Sequence, residues 1–359
     1  MIKVLVAGDG VAPTLNFVRS LKRMKERPYL IGMGAHPYDI CKSECDETHL
    51  VPWANEPDYL PVLKDLVRRT KPDFFHQQND KEIAAVSEFR DEIGVRTFLP
   101  SRATVATCVN KWASYRKWTE AGLKVPRTIL LNDASQLEKV MRELGPRVWL
   151  RAWEGGFGFG AVPTDDPEFA RVWINTYEGW GKFTAAECLT PDSVTWTSIW
   201  KNGELVVAQG RKRLYWEFGN RNLSGVTGIT GTGVTVSDPV VDEIALKAVK
   251  AIDQAPQGIF SVDLTYDSKG VPNPTEINIA RFFTTHEFFA AAGLNVAEIY
   301  LRCALDLPLP RLERRLNPLP EGLAWVRGMD GVPVLTTVEV IEERKRGLSQ
   351  LRNSLARGD

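Results

Sequence analysis

The sequence lacks three features that would each assign it to a broad class of proteins. Its cysteines are odd in number and too scattered to form a disulfide framework; they are Cys41, Cys45, Cys108, Cys188 and Cys303. No apolar run reaches the length of about 18 residues that a membrane-spanning helix needs. The first stretch, MIKVLVAGDG, has neither the longer apolar core nor the cleavage site of a signal peptide. These absences predict a cytoplasmic protein without a membrane partner.

An excess of charge of either sign is also missing. The 45 lysines and arginines balance 45 aspartates and glutamates, and no long basic run occurs. Nucleic acid and anionic membrane are therefore not expected as partners, although a net charge of zero leaves open a cationic pocket in one cleft. With 359 residues and 43% hydrophobic composition, the chain is long enough for two or three domains with buried cores.

Alternating strand and helix patterns predict a small doubly wound α/β sheet for the first part of the chain. Apolar strand-like runs alternate with helical periodicity at residues 2–7, 15–21, 29–33, 58–70, 72–76 and 81–91. Such alternation favours a parallel sheet covered by helices. Pro100 and Ser101 mark a plausible end of this unit.

The pattern then changes to a mostly antiparallel α+β arrangement. Short strands are separated by glycine, proline or Asp-Ser turns, and helices are predicted at residues 102–121, 135–144, 167–178 and 239–254. Residues 224–235, SGVTGITGTGVT, are expected to form a Gly/Thr loop. Two short strands, at 323–328 and 333–341, and a charged last helix are predicted within residues 311–359.

The segment PNPTEINIARFF, residues 272–283, concentrates polar side chains on one strand. Glu276 and Asn278 are two residues apart and point to the same face, and Asp263 lies on the preceding strand across an Asp-Ser-Lys-Gly turn. Two carboxylates at 4 Å repel each other by about 1–4 kcal/mol, a cost that a divalent cation removes. Hard oxygen ligands suit Mg²⁺ rather than zinc. The segment is therefore a candidate metal site, with a solvated hairpin face as the alternative.

A glycine-rich segment, RAWEGGFGFGAV, joins two predicted strands, with Arg151 at the end of the first. Its glycines would let backbone N–H groups approach a phosphate closely; they are Gly155, Gly156, Gly158 and Gly160. No GK[ST] follows and no helix begins after it, so neither the P-loop nor the dinucleotide-binding fingerprint applies. The alternative is a flexible hairpin tip.

Three further segments carry weaker signals. Lys111 begins a predicted helix, from which a lysine can reach a phosphate. Arg211 and Arg213 lie on a basic strand before the Gly/Thr loop and suit an anionic substrate. A strand end whose backbone could hold adenine consists of Glu187, Cys188 and Leu189. The alternatives are a solvated lysine, a mobile loop and an ordinary strand end.

The order of these segments resembles that of the ATP-grasp superfamily. A lysine helix, a glycine-rich hairpin, the Glu-Cys-Leu strand end, a basic strand and Asp…Glu-x-Asn-x-x-Arg follow one another, and EINIARF is similar to the metal strand of the carbamoyl-phosphate synthase and biotin carboxylase branch. The resemblance covers residues 1 to about 310. It implies a Rossmann-like domain at 1–104, an ATP-grasp domain at 105–310 with a lid near 125–190, and a C-terminal extension at 311–359.

The resemblance also implies roles for individual residues. The ATP phosphates are expected to contact Lys111, Arg151, Gly156, Gly158 and Gly160. Adenine is expected against Glu187, Cys188 and Leu189. One or two Mg²⁺ ions are expected on Asp263, Glu276 and Asn278. Arg281 would be the catalytic residue, which stabilises an acyl phosphate and the tetrahedral species that an amine forms from it.

The implied activity is that of an ATP-dependent ligase that joins a small carboxylate to an amine or thiol. A small-molecule carboxylate and amine are the expected partners, and a homodimer is the default assembly. Two alternatives stay open: a phosphotransferase with the same fold, and a non-catalytic nucleotide-binding module.

Some positions depart from the family pattern or carry a separate hypothesis. Ser193 stands where family members have an acidic ribose ligand, and Trp153 and Phe157 make the lid loop bulkier than usual. His286 follows the metal strand and is a candidate for substrate contact or proton transfer, with a helix-entry histidine as the alternative.

A cluster of possible zinc ligands occurs early in the chain, at His36, Cys41, Cys45 and His49. The spacing H-x4-C-x3-C-x3-H matches no common structural zinc site. A connecting loop and helix are therefore expected there, and zinc binding is the alternative.

Overall fold

The structure is a computed structural model, which describes residues 1–156, 158–328 and 337–357. The first part of the chain contains β1 (Lys3–Ala7), α1 (Ala12–Lys22), β2 (Tyr29–Gly34), β3 (Glu47–Leu50), α2 (Tyr59–Thr70), β4 (Phe74–His76) and α3 (Asp80–Phe89). The four strands form a parallel sheet in the order β3–β2–β1–β4, here called the first sheet. The predicted parallel sheet is confirmed, with β3 as an edge strand that the sequence analysis missed.

Two helices follow where the sequence predicts one helix over residues 102–121. They are α4 (Arg102–Val109) and α5 (Lys111–Glu120). The chain turns at Asn110, whose backbone is extended and whose side-chain oxygen accepts a hydrogen bond from the N–H of Ala113 at 2.9 Å. An asparagine in this role is a helix N-cap. The prediction of one continuous helix is therefore wrong, and Lys111 is the first residue of α5.

A second sheet, here called the lid sheet, has four antiparallel strands. Its elements are β5 (Thr128–Leu131), α6 (Leu137–Leu144), β6 (Val148–Ala152), β7 (Val162–Thr164), α7 (Pro167–Thr176) and β8 (Phe183–Glu187). The strand order is β5–β8–β6–β7, and apolar side chains from both helices share one core with the strands. The glycine-rich segment joins β6 to β7, so it lies at one end of this sheet.

The largest sheet, here called the central sheet, has six antiparallel strands. Its elements and neighbours are β9 (Ser193–Lys201), β10 (Glu204–Trp216), β11 (Thr230–Val236), α8 (Pro239–Ile252), β12 (Gly258–Tyr266), β13 (Pro272–Ile279), α9 (Glu287–Ala291), α10 (Val296–Ala304) and β14 (Ala324–Val326). The strand order is β13–β12–β9–β10–β11–β14. Because β11 is a strand, the expectation of a loop through residues 230–235 is wrong.

The C-terminal part agrees with the sequence analysis in one respect and differs in another. The strand predicted at 323–328 is confirmed as β14. Of the strand predicted at 333–341, residues 333–336 lie outside the described residues and residues 338–341 begin the last helix, α11 (Val338–Arg357), which contacts α2 and β3. Among the described segments, none of the helices combines the length and the apolar character that crossing a membrane would take.

The two faces of the central sheet differ because side chains alternate along each strand. One face carries buried apolar groups, such as Trp196, Val262 and Ile277, which share a core with α8. The opposite face carries polar groups, because the register aligns Thr195 with Asp263 and Asp263 with Glu276 across three strands. The polar face is where the candidate site lies.

His286 lies in the core rather than at that face. Its ring is fully buried and stacks on Phe282 with the ring centroids 4.5 Å apart, and its Nδ1 lies 3.1 Å from the carbonyl oxygen of Phe283. Burial lowers the pKa of His286 to about 3. Phe17 of α1 packs nearby. The structure therefore contradicts the assignment of His286 to substrate contact or proton transfer, because aromatic neighbours shield the ring from solvent.

Replacement of His286 by phenylalanine should make the protein less sensitive to acid. Between the ordinary pKa of 6.5 and the folded value of about 3, the unfolded chain binds a proton that the folded chain excludes. The histidine's contribution to the free energy of unfolding is therefore present above pH 6.5 and lost as the pH falls, by about 1.4 kcal/mol per pH unit.

Urea unfolding of wild type and H286F between about pH 7 and pH 5 measures this slope. The variant should lose less stability than wild type as the pH falls through this range. Parallel curves for wild type and H286F would contradict the prediction.

Candidate active site

The three residues predicted to bind a metal meet on the polar face of the central sheet. Asp263 on β12 lies directly opposite Glu276 on β13, and Asn278 follows two residues later. Asn278 Nδ2 donates a hydrogen bond to Asp263 Oδ2 at 3.0 Å, and Thr195 Oγ1 donates to Asp263 Oδ1 at 2.5 Å. The side chains of Asp263 and Glu276 remain 19% and 24% exposed. Two carboxylates and an amide oxygen thus share one solvent-accessible corner.

Cations from two other parts of the chain surround Glu276. Arg151, near the end of β6, donates from Nη2 to Glu276 Oε2 at 2.5 Å, and Lys111 Nζ lies 3.8 Å from the same oxygen. Lys111 also donates to the carbonyl oxygen of Gly155 at 2.6 Å. Burial by itself raises the pKa of Glu276, but the charges of Lys111 and Arg151 outweigh it and hold the pKa at about 2. Glu276 is therefore an anion near neutral pH.

Arg281 follows β13 and joins this cluster to the first sheet. Its Nη2 donates to Asn278 Oδ1 at 2.5 Å, and its Nε and Nη2 donate to the carboxylate of Asp80 at 2.6 and 3.3 Å. Burial acts to lower the pKa of Arg281, but the charge of Asp80 and its hydrogen bonds raise the pKa overall. The sequence analysis missed Asp80. Its local signal was a polar run after β4, at the edge of a parallel sheet where ligands bind in α/β proteins.

The glycine-rich segment lies against the same side chains. A Cβ atom at Gly156 would lie 3.6 Å from Asp80 Oδ2, so the backbone passes close to the first sheet. Gly158 has a φ of +71°, and a Cβ there would lie 2.7 Å from the carbonyl oxygen of Val226. A Cβ at Gly160 would meet the ring of a phenylalanine in β8 at 2.7 Å. Larger residues at Gly158 and Gly160 would therefore strain the backbone and clash with their neighbours.

Two arginines of β10 lie side by side on the polar face. The hydrogen bonds of Arg211 go to neutral hydroxyl groups, those of Thr195, Thr230 and Thr285. Its Nε is buried without a partner among the described residues. Arg213 donates to Ser193 Oγ at 2.7 Å and lies 3.9 Å from Asp263. Burial lowers the pKa of both, to about 9 for Arg211, where the charge of Arg213 adds to the effect.

The strand end expected against adenine is the connection between the lid sheet and the central sheet. Glu187 ends β8, and its carboxylate accepts hydrogen bonds from the backbone N and the Nε of Arg127 at 3.0 and 2.7 Å. Cys188 is exposed and Leu189 is half-buried, and neither backbone N–H is hydrogen-bonded within the described part of the chain. Backbone donors are therefore available here, whereas the Glu187 side chain is already paired.

The side chain of Trp153 and the residues of the hypothetical zinc cluster contact other parts of the chain. Trp153 donates from its ring nitrogen to the carbonyl oxygen of Gly181 within the lid, and Phe157 lies outside the described residues. The four possible zinc ligands each contact a different neighbour, as the pairs His36–Asp39, Cys41–Pro37, Cys45–Asp9 and His49–Glu47. The described residues contain no group of three or more His, Cys, Asp or Glu that could hold a metal ion.

Comparisons with known proteins concern the fold of the whole chain. No protein-family model matches the sequence. The biotin carboxylase domain dimer of 2-oxoglutarate carboxylase from Hydrogenobacter thermophilus, solved with MgADP, ADP and bicarbonate, has a TM-score of 0.70 at 17% identity; the match covers 90% of this chain and 73% of that chain. L-amino acid ligase from Bacillus licheniformis has a TM-score of 0.66 at 12% identity, with 86% and 75% covered.

Carboxyaminoimidazole ribonucleotide synthase from Aspergillus clavatus, solved with ATP, has a TM-score of 0.65 at 18% identity, and the match covers 86% of this chain and 78% of that chain. At these identities the likeness concerns the fold. The matches cover 86–90% of this chain, which includes most of the three sheets described above. The chain therefore has the ATP-grasp fold that the order of its motifs implied.

Proposed function

We propose that this protein is an ATP-dependent ligase that joins a small carboxylate to an amine or thiol through an acyl phosphate. The observation that carries the proposal is the corner where Lys111, Arg151 and Arg281 converge beside Glu276 and Asp263. Enzymes of the same fold include an L-amino acid ligase, and two others were solved with MgADP and with ATP. A group of cations beside hard oxygen ligands suits a negatively charged nucleoside triphosphate with its Mg²⁺ better than a neutral ligand.

The ATP phosphates would bind to Lys111 and Arg151 beneath the glycine-rich segment. Both cations lie beside one carboxylate oxygen, Glu276 Oε2, whose single negative charge balances only one of them. A triphosphate offers stronger acceptors and would take over these contacts, because charge-assisted hydrogen bonds to phosphate are among the strong ones. Adenine would lie against the connection between the lid and central sheets, where the N–H groups of Cys188 and Leu189 are available.

The donor set fits Mg²⁺. Asp263 and Glu276 supply carboxylate oxygens with two negative charges at a partly exposed position, which matches the preferences of a hard divalent cation, and Asn278 would add the amide oxygen that here accepts a hydrogen bond from Arg281. Once phosphates engage Lys111 and Arg151, the carboxylate of Glu276 needs another counter-charge. When bound, Mg²⁺ supplies that counter-charge and neutralises charge on phosphate oxygens.

The arginines would stabilise negative charge while the acyl phosphate forms and while the amine attacks it. A substrate carboxylate oxygen forms a bond to the terminal phosphorus, and the bond from that phosphorus to the bridging oxygen of ADP breaks. Attack of the amine on the acyl carbon then releases inorganic phosphate. Arg281 would stabilise the negative charge on the transferred phosphate. Arg211 and Arg213 would hold the anionic substrate, which offsets the cost of burying the charge of Arg211 among neutral hydrogen-bond partners.

We also propose a domain for each part of the chain. We assign residues 1–104 to a Rossmann-like domain, residues 105–310 to an ATP-grasp domain with its lid at about 125–190, and residues 311–359 to an extension. The similar biotin carboxylase domain is a dimer, and a homodimer is proposed here, which light scattering can test. The partners would be small molecules.

Phosphate release should depend on two substrates together. Mixtures of ATP, Mg²⁺, one carboxylate and one amine are screened for free phosphate and for ADP. A ligase should release phosphate with the correct pair and little with either compound alone. ADP formation without free phosphate would instead identify a phosphotransferase, and the absence of any nucleotide binding would rule out both activities.

Replacement of Glu276 by glutamine should lower turnover by about a hundredfold or more, because a metal ligand is lost and Lys111 and Arg151 lose their counter-ion. The matched control is Glu298→Gln, which breaks a salt bridge of similar exposure to Arg302 on α10. Melting temperatures of both variants check folding. Equal activity of E276Q and wild type would contradict the proposed site.

Replacement of Arg211 by methionine should separate stability from activity. A buried guanidinium with neutral partners is replaced by an apolar chain, so the free energy of unfolding should stay within about 1 kcal/mol of wild type or increase. Turnover should fall, with the KM for the carboxylate rising. A strongly destabilised variant that retains full activity would show that Arg211 has a structural role instead.

A further inference from the structure

We propose that Asp80 is a positioning residue for Arg281, so that the first sheet sets the orientation of the guanidinium that serves the transferred phosphate. The inference rests on the proposed function and deepens it, because it gives a residue next to the first sheet a role in the proposed ATP site. Asp80 begins α3, and its carboxylate reaches Arg281 across 201 positions of sequence.

The contacts of Arg281 leave one part of the guanidinium available. Asp80 accepts hydrogen bonds from Nε and Nη2, and Asn278 accepts a second hydrogen bond from Nη2. The remaining nitrogen, Nη1, makes no hydrogen bond within the described residues and is not among their buried, unpaired atoms. A guanidinium has five N–H donors in a planar fork, so fixing one edge determines where the others lie.

The backbone around Arg281 is held by the connection between β4 and α3, which leads directly into Asp80. Ala280, between β13 and Arg281, has a φ of +55°, a left-handed conformation that is unfavourable for a non-glycine residue. Gln78, two residues before Asp80, donates from Nε2 to the carbonyl oxygen of Phe282 at 2.7 Å and accepts from its N–H at 3.4 Å. The β4–α3 connection therefore fixes both the main chain and the side chain at this position.

Asp80 is itself held in place. Asn79 caps α3, since its side-chain oxygen accepts from the N–H of Glu82 at 2.9 Å, and its Nδ2 donates to the carboxylate of Glu82 at 3.0 Å. The Asp80 side chain is 30% exposed and lies close to Gly156 of the glycine-rich segment. It is thus a fixed negative charge beside a site proposed to take a polyanion.

The sign of one substitution separates positioning from simple electrostatics. Asp80→Asn removes a negative charge near an anionic ligand, so charge alone predicts tighter nucleotide binding. Positioning predicts the opposite, because Arg281 loses its charged partner and its fixed orientation.

The test is calorimetric titration of the full chain with Mg²⁺ and a non-hydrolysable ATP analogue. It compares wild type, D80N, R281A and the double variant. D80N should weaken binding about fivefold or more, R281A should weaken it at least as much, and D80N should cause no further loss in the R281A background. Asp91→Asn is the matched control: it removes a carboxylate just after α3 that pairs with Arg102 and should leave the affinity unchanged.

Each other outcome overturns the inference. Tighter or unchanged binding by D80N, unchanged binding by R281A, or an equal loss from D80N in both backgrounds would each show that Asp80 does not act through Arg281. Wild-type protein that fails to bind the analogue would overturn the proposed function as well, which distinguishes the two failures. Should D80N not fold, D80E keeps the charge but moves the carboxylate by one methylene, and it should weaken binding only when Arg281 is present.

Discussion

The ion pairs of Glu276 are the constraint on which the rest of the site depends. One carboxylate on the central sheet holds Arg151 of the lid sheet and Lys111 of α5, and Lys111 in turn holds the backbone of Gly155. These contacts therefore join the lid sheet to the central sheet. On the proposed function, a triphosphate that took over the contacts of Lys111 and Arg151 would also weaken this connection.

The central sheet can carry such a site because one of its faces is apolar and the other is polar. Trp196 and its neighbours on the apolar face supply burial against α8, which stabilises the sheet. The polar face holds the buried guanidinium of Arg211, whose hydrogen bonds go to hydroxyl groups. Buried charges of this kind persist in proteins where function requires them, at a cost that the remainder of the core offsets.

Local sequence was sufficient for the features that depend on near neighbours. The shared face of Glu276 and Asn278 follows from strand periodicity, and the approach of Asp263 follows from a tight turn. The break at Asn110 could also have been predicted, since asparagine is a preferred N-cap. The helical periodicity on both sides of Asn110 instead favoured one continuous helix. In β11, alternating glycine and threonine masked a strand that pairing with β10 and β14 stabilises.

Features that depend on distant parts of the chain were not predictable in the same way. The burial of His286 requires α1, whose Phe17 packs beside it, and the role of Asp80 requires a helix that is remote from Arg281 in sequence. Neither contact is marked by a local motif, because each depends on how distant elements pack against one another. A sequence order that resembles a superfamily indicates the segments that we propose to bind phosphate and metal. It does not identify Asp80, because the contact of Asp80 with Arg281 depends on how the start of α3 packs against the end of β13.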